Sequence, residues 1–136
     1  MYSTKLSVSI HILSVIALME ESAITSDYIA SSINTNPVLV RRLMSRLKKA
    51  SLIRTSTKLG VTGLSKRLED ITLLDIFLAV EDHADLFAIH GNPNLECPVG
   101  ARIESTLKHL YDTIQTETEK KLSGITLADI TKEFHL

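Results

Sequence analysis

Apolar residues recur every three or four positions between Ser7 and Met19, which is the spacing of a helix that buries one face. The predicted buried face consists of Val8, Ile12, Val15, Ile16 and Met19. A second, shorter helix is predicted after Thr25, because threonine is a good N-cap and Asp27 in the first turn favours the helix dipole. It continues to about Ile33, so the chain begins with two helices.

A turn and a third helix are predicted next. The run Asn34-Thr35-Asn36 is typical of a turn, Asn36 suits an N-cap, and Pro37 suits the first helical position. The core face of the third helix is predicted to hold Val40, Leu43, Met44 and Leu47. Its other side carries Arg41, Arg42, Ser45, Arg46, Lys48 and Lys49. This helix is therefore expected to present a basic surface to solvent.

A small β-hairpin is predicted after the third helix. Residues 52–57 are rich in β-branched side chains, Gly60 and Gly63 indicate a turn, and residues 64–66 are predicted to form the return strand. Helix, helix, tight turn, helix and hairpin is the order of a winged helix-turn-helix. A generic three-helix bundle is less favoured, because it does not call for the tight turn, the basic third helix or the basic hairpin.

One phrase occurs twice, as residues 71–76 (ITLLDI) and residues 125–130 (ITLADI). In each copy a threonine, Thr72 or Thr126, can cap a helix, and the aspartate three positions later lies in its first turn. Six residues are too few to indicate a duplicated unit. We therefore predict two independent helix starts.

A long helix is predicted from Cys97-Pro98 to about Ser123, with Gly124 as its C-terminal cap and a loop at residues 90–94 before it. Its narrow apolar stripe has a period close to 3.5 residues and consists of Val99, Ile103, Leu107, Leu110 and Ile114. Such a stripe suits packing along another helix. We favour pairing with a second copy through Ile103, Leu107, Leu110 and Ile114; the alternative is that the helix only covers its own core.

Charge is unevenly distributed along a chain of net charge −1. Residues 1–70 carry ten Lys/Arg and five Asp/Glu, a net +5, whereas residues 71–136 carry five and eleven, a net −6. Nine basic side chains and no acidic one lie between residues 37 and 67. This pattern favours a polyanion docked on one surface, most often nucleic acid. The alternative is a solvated helix face.

The winged-helix arrangement predicts which side chains contact DNA. The third helix lies in the major groove with its N-terminal residues at the base edges, and the hairpin reaches the flanking backbone or minor groove. The predicted contacts are Thr35, Asn36, Val38, Leu39, Arg41, Arg42, Ser45, Arg46, Arg54, Lys58 and Lys66. A dimer would place two such helices about 34 Å apart and would require a pseudo-palindromic site in double-stranded DNA.

Several of these segments together resemble a bacterial family of winged-helix repressors that includes IscR, NsrR and CymR. The matching segments are residues 36–43 and 47–53, the two wing glycines Gly60 and Gly63, and the runs 71–76 and 79–81. The resemblance covers nearly the whole chain and implies a mainly α fold, with a winged helix-turn-helix domain followed by a long dimerisation helix. The implied division is a DNA-binding domain at 1–82, a loop with Cys97 at 83–98, and the dimerisation and C-terminal helices at 99–136.

The chain departs from this family in its cysteines and its wing. Cluster-binding members hold iron–sulfur with three closely spaced cysteines, whereas this chain has Cys97 alone, and an iron–sulfur cluster needs four ligands. His83, His90 and Glu96 do not complete such a set, so we expect no cofactor and no metal. The wing is also poorer in glycine than in relatives.

Cys97 is the candidate sensor residue. If Pro98 is the first helical residue, then Cys97 is the N-cap, where the helix dipole lowers the pKa of a thiol, although Glu96 beside it opposes that shift. One interpretation is a thiol sensor of oxidants or electrophiles that moves the long helix. The other is a small buried apolar residue at a helix start.

Three functions remain in competition at this stage. We favour a homodimeric DNA-binding regulator, and repression over activation. The apolar runs of the chain are too short to span a membrane, so we expect the protein in the cytoplasm. The alternative is a winged-helix module whose basic face docks an acidic protein. An enzyme with Cys97 as nucleophile and His90 or His109 as base is disfavoured, because the chain has no glycine-rich, paired-carboxylate or metal-spaced motif.

Overall fold

A computed structural model describes residues 3–19, 24–56 and 60–134 of the 136-residue chain. The mainly helical fold predicted from the sequence is confirmed. Lys58, a predicted DNA contact, lies outside the described residues. The elements in chain order are α1 (Lys5–Leu18), α2 (Ser26–Ile33), α3 (Pro37–Lys49), β1 (Ile53–Ser56), β2 (Gly60–Leu64), α4 (Leu73–Val80), α5 (Ile103–Ser123) and α6 (Leu127–Thr131).

Helix α1 lies at the centre of the domain. It contacts α2, α3, α4, α6 and β2, so its burial extends beyond one stripe. Ser9 and Leu13 are buried, whereas Val8 and Val15 of the predicted face are only half-buried. The predicted face was therefore wrong in part, because a helix enclosed on several sides buries positions that a single amphipathic stripe leaves out.

The wing is a two-stranded antiparallel hairpin in which Ile53 pairs with Leu64 and Ser56 pairs with Gly60. The predicted return strand at residues 64–66 was wrong, since β2 begins at Gly60 and ends at Leu64. Gly60 and Gly63 thus belong to the strand. An isolated bridge from Ile24 to Val61 attaches the segment before α2 to the wing.

The two copies of the repeated phrase each start a helix, as predicted, and each forms a complete capping box. The structure also brings the two copies together. The backbone N–H of Leu73 donates to the carbonyl of Ile125 (2.9 Å), and the N–H of Leu127 donates to the carbonyl of Ile71 (2.8 Å). This short antiparallel bridge fastens the C-terminal end of α5 to the start of α4.

Helix α5 begins at Ile103 rather than at Cys97-Pro98, so its predicted start was wrong. Residues 97–102 form consecutive turns instead, with the N–H of Ala101 donating to the carbonyl of Cys97 at 2.9 Å. A Cβ on Gly100 would lie 2.0 Å from the carbonyl oxygen of Asn94. The preceding loop thus folds back onto this turn, an approach that a sequence pattern does not reveal. The predicted cap at Gly124 is confirmed.

Candidate nucleic-acid interface

The turn between α2 and α3 fixes where the third helix begins. Asn34 adopts a left-handed conformation (φ 64°), and the N–H of Thr35 donates to the carbonyl of Ala30 at 2.9 Å, which closes the end of α2. The Asn36 side-chain oxygen accepts from the N–H of Val38 at 2.8 Å, and Pro37 takes the first helical position. The predicted N-cap and helix start are therefore confirmed, and Thr35 lies half-buried in the turn.

Helix α3 presents an outward face of four residues spaced four, three and four positions apart: Val38, Arg42, Ser45 and Lys49. All four are exposed, and Val38 is 51% exposed. The opposite face packs Val40, Leu43 and Leu47 into the core, each 0% exposed. Three of the four predicted core residues are thus buried, whereas Met44 is half-buried at the edge of the core. Leu39, predicted to contact DNA, is also half-buried and packs against the core rather than standing on the outward face.

A groove, which we call the wing groove, runs between α3, the start of α2 and the hairpin. It has a volume of about 620 Å³, and its lining includes Thr25, Ser26, Arg41, Ser45, Lys48 and Thr55. Arg41 also pairs with Asp27 at 3.9 Å, but both side chains are mostly exposed, so this ion pair holds Arg41 only weakly. The groove therefore combines cations of α3 with hydroxyl groups from two other elements, the mixture that contacts a phosphate backbone.

Apart from Ser45, the hydroxyl-bearing residues of the wing groove were not among the DNA contacts predicted from the sequence. Ser26 opens α2, and Thr55 lies on β1 opposite Val61. No spacing along the chain connects either residue to Arg41. Only the tertiary fold places them beside it.

The predicted hairpin contacts are only partly brought together. Arg54 lies on β1 opposite Gly63, with its side chain exposed. Lys66 was expected on the hairpin, and that placement was wrong, because β2 ends at Leu64 and Lys66 lies in the bend that follows. Its neighbour Arg67 pairs with Asp70 at 3.1 Å.

Arg46 differs from the other cations predicted to contact DNA. Its guanidinium Nη1 lies 2.7 Å from the carboxylate of Asp82 and donates to the carbonyl oxygen of Val80, also at 2.7 Å. The side chain is only 32% exposed. Arg46 is therefore directed toward the end of α4 and away from the outward face.

Cys97 lies exposed in the turn before α5, so both of its predicted settings, the N-cap of the long helix and a buried apolar site, were wrong. Hydrogen bonds from the backbone of Gly100 and then of Val99 nevertheless lower the pKa of the thiol. The lowered pKa that was predicted from a helix dipole therefore arises from backbone N–H groups of the turn. Cys97 is thus an accessible thiol with increased thiolate character.

The four residues predicted for dimerisation form an incompletely covered stripe on α5. Leu110 is 51% exposed and Ile114 is 43% exposed, while Ile103 and Leu107 are half-buried. None of the residues of α5, all of which the structure describes, is buried. On a neighbouring face, the Gln115 side chain bonds the loop through the carbonyl of Ala84 and the N–H of Leu86, at 2.8 and 2.9 Å. The loop thus contacts a face beside the stripe.

Comparison with known proteins identifies this architecture. The Rrf2 family model, described as an iron-dependent transcriptional regulator, matches residues 2–133. The chain belongs to the Rrf2 family.

The relatives of this Rrf2 chain agree in name and in fold. It is 41% identical over 130 residues, 96% of each chain, to the "Putative HTH-type transcriptional regulator YwnA" of Bacillus subtilis (strain 168). A crystal structure described as "a putative DNA binding protein" has a TM-score of 0.77 at 36% identity, covering 93% of this chain and 97% of that one. CymR, the global cysteine regulator of B. subtilis, has a TM-score of 0.70 at 21% identity, covering 97% and 96%, and shows the fold alone.

The described residues show neither a cluster of metal ligands nor a membrane-spanning helix. Among residues 3–19, 24–56 and 60–134, no three His, Cys, Asp or Glu side chains are grouped so that they could hold a metal ion. No helix in the same part of the chain is both long and apolar enough to cross a membrane. The relatives named above are described as transcriptional regulators or as a DNA-binding protein.

Proposed function

We propose that this Rrf2 chain is a homodimeric regulator that binds a pseudo-palindromic operator and represses transcription. The observation that carries the proposal is the exposed basic face of α3 beside the wing groove. Arg42 and Lys49 stand on the outward face, and Arg41 and Lys48 line the groove. In a winged helix these positions face the major groove and its flanking phosphates. The basic surface thus supports duplex DNA as the partner.

The stripe on α5 supports an antiparallel dimer. The stripe is symmetric along the helix, because both its spacing (four, three, four) and its residue order (Ile, Leu, Leu, Ile) are unchanged when the direction is reversed. Two copies related by a two-fold axis therefore place each Ile103 across from the partner's Ile114, and each Leu107 across from the partner's Leu110. Glu117 and Lys121 occupy the next positions along the stripe, which limits the apolar contact to the first half of the helix.

The basic surface of α3 and the apolar stripe on α5 are sufficient for repression. A dimer that spans two successive major grooves covers one face of the duplex over about 34 Å between its recognition helices. If the operator overlaps a promoter, occupancy alone excludes the polymerase.

We expect the purified protein to bind its own upstream promoter far more tightly than a scrambled duplex. If each subunit neutralises three to five phosphates, the logarithm of the affinity should fall against the logarithm of the salt concentration with a slope of roughly −5 to −9. Fluorescence anisotropy across salt concentrations measures both quantities. Weak and equal binding to the two duplexes would contradict DNA as the partner and would favour an acidic protein instead.

Cys97 supports a further part of the proposal, namely regulation of operator binding by oxidants or electrophiles. Its thiol is exposed and has a lowered pKa, and it lies in the turn that leads into α5. A modified thiol would no longer fit the hydrogen bonds from Gly100 and Val99. Rearrangement of this turn would then displace the start of the dimerisation helix.

The pH dependence of alkylation tests the state of this thiol. Because the pKa of Cys97 is lowered, the rate of reaction with iodoacetamide should reach its midpoint at a lower pH in the folded protein than in denaturant. Cys97 is the only cysteine in the sequence, so the unfolded chain serves as the reference. Gly100→Ala should raise the midpoint, because its Cβ would lie 2.0 Å from the Asn94 carbonyl. Equal midpoints for folded and unfolded protein would refute the activated thiol.

A further inference from the structure

Arg46 connects the recognition helix to the end of another helix. Val80 is the last residue of α4, and its carbonyl lies among the terminal carbonyls that lack a partner within the helix. Arg46 satisfies that carbonyl at 2.7 Å and brings a positive charge to the helix C-terminus, where the dipole favours it. The side chain therefore caps α4 while its own backbone belongs to α3.

Asp82 completes this connection. One of its carboxylate oxygens pairs with Arg46 at 2.7 Å, and the other accepts a hydrogen bond from Lys5 at the start of α1. Hydrogen bonds from Lys5 and then Arg46 lower the pKa of Asp82, so the carboxylate stays charged at neutral pH. One residue thus joins α1 and α3 at the point where the chain leaves α4. We call Lys5, Arg46 and Asp82 the clasp.

The clasp lies between the recognition helix and the segment that leads into α5. Asp82 is the second residue after α4, and the segment that it begins carries Cys97 and leads into α5. The bridge between Thr72 and Thr126 joins the segment directly after α5 to the start of α4. The clasp sets how α3 sits on α4, and the bridge sets how α5 sits on α4. Through α4, the two contacts therefore connect the recognition helix to the dimerisation helix.

We propose that Arg46 and Asp82 are positioning residues for DNA recognition, which orient α3 relative to α5 and do not themselves contact the operator. This inference rests on the proposed function, because it assumes an operator read by two α3 helices. It assigns Arg46 a different role from its neighbours on the same helix. Arg42 and Lys49 point outward, whereas Arg46 lies on the flank that meets α4.

Asp82→Asn gives the sharpest test, because two explanations predict opposite signs. If Asp82 acted only through its charge, removing that negative charge near a polyanion would leave operator binding unchanged or strengthen it. If the clasp orients α3, the same substitution should weaken operator binding about tenfold, because the amide offers one neutral acceptor to two cations, so that one charged hydrogen bond is lost and the other is weakened in each subunit. Anisotropy on the promoter duplex decides between them. Binding equal to or tighter than that of the wild type would overturn the inference.

The slope of affinity against salt separates positioning from phosphate contact. Arg46→Ala should weaken binding to a similar extent as Asp82→Asn while keeping the wild-type slope, and the double variant should bind no more weakly than either single one. Lys49→Ala is the matched control, since loss of one phosphate contact per subunit should reduce the slope by about two in a dimer. A slope reduced to the same extent by Arg46→Ala would place Arg46 on the DNA.

A second test varies the distance between the two half-sites of the operator. A recognition helix that is held less firmly relative to α5 should tolerate operators whose half-sites are moved apart or together by one base pair. We therefore expect the ratio of affinities for the correct and the altered spacing to fall in Asp82→Asn and to stay unchanged in Lys49→Ala. An unchanged ratio in Asp82→Asn would count against positioning. Thermal unfolding shows whether each variant is as fully folded as the wild type at the temperature of the binding measurement.

The wild type distinguishes failure of this inference from failure of the proposed function. If the wild type shows no sequence-selective, salt-dependent binding, the proposed function fails and the inference fails with it. If the wild type binds as proposed and Asp82→Asn binds at least as tightly, only the positioning role is lost.

Discussion

Replacing Leu107 and Leu110 together with glutamate is expected to convert the proposed dimer into a monomer and to weaken operator binding by at least about 100-fold, because linked half-sites gain roughly 10²–10⁴ in avidity. The substitution places four carboxylates where each Leu107 would face the partner's Leu110. Charged groups without partners in an apolar contact carry a large desolvation cost. Light scattering measures the mass, and anisotropy measures the loss of binding.

The control for this prediction uses another face of the same helix. His109 and Thr116 are exposed and lie seven positions apart, so they share a face that points away from the stripe. His109→Glu with Thr116→Glu adds the same two carboxylates per subunit but should leave the dimer intact. If the leucine variant also remained a dimer, the stripe would not be the contact between subunits.

Local signals predicted the helix boundaries well wherever the relevant atoms belong to neighbouring residues. The Asn36 cap on Val38, Pro37 at the first helical position and the capping boxes at Thr72 and Thr126 each depend on groups within three positions. These interactions form in the same way whatever the remainder of the chain does. Their residue patterns are therefore sufficient to predict them.

The errors occurred where distant segments meet. The Asn94 carbonyl packs closely against Gly100 in the turn before α5. The residues Cys97-Pro98 do not predict this contact, because Asn94 and Gly100 meet only when the loop folds back. The charge pattern of α3 groups Arg46 with the other predicted DNA contacts and does not reveal its contacts at the end of α4. Its actual partners, Val80 and Asp82, come more than thirty positions later in the sequence.

The sequence therefore predicted the composition of the candidate interface better than its geometry. Charge and helical spacing predicted α3 as the candidate recognition helix and placed its cations on the exposed side, because both are properties of one contiguous segment. Whether a given cation points at DNA, at another helix or at a nearby carboxylate is decided by the packing of α3 on α4 and α2. Arg41 beside Asp27, and Arg46 beside Asp82, illustrate two of these outcomes.

Arg42→Ala is expected to weaken binding to the preferred operator by about 30-fold or more, since a bidentate contact to a base contributes roughly 1–3 kcal/mol and the operator has two half-sites. Arg42 lies in the second turn of α3 on the outward face, the region that reaches base edges in a helix-turn-helix. Binding to the scrambled duplex should change much less. The loss is therefore one of selectivity, measured as the ratio of the two affinities.

Lys49→Ala is the matched comparison, because Lys49 is also basic and exposed and shares the outward face seven residues farther along. That separation moves it about 10 Å along the helix axis, from the predicted base edges toward the backbone. Its loss should lower the affinity for both duplexes by a similar, small factor, because a phosphate contact carries no sequence information. Arg42→Lys should not restore selectivity, since an ammonium group cannot make the bidentate contact. A Lys49 variant that lost selectivity while the Arg42 variant kept it would mean that the C-terminal half of α3, rather than its N-terminal half, reads the bases.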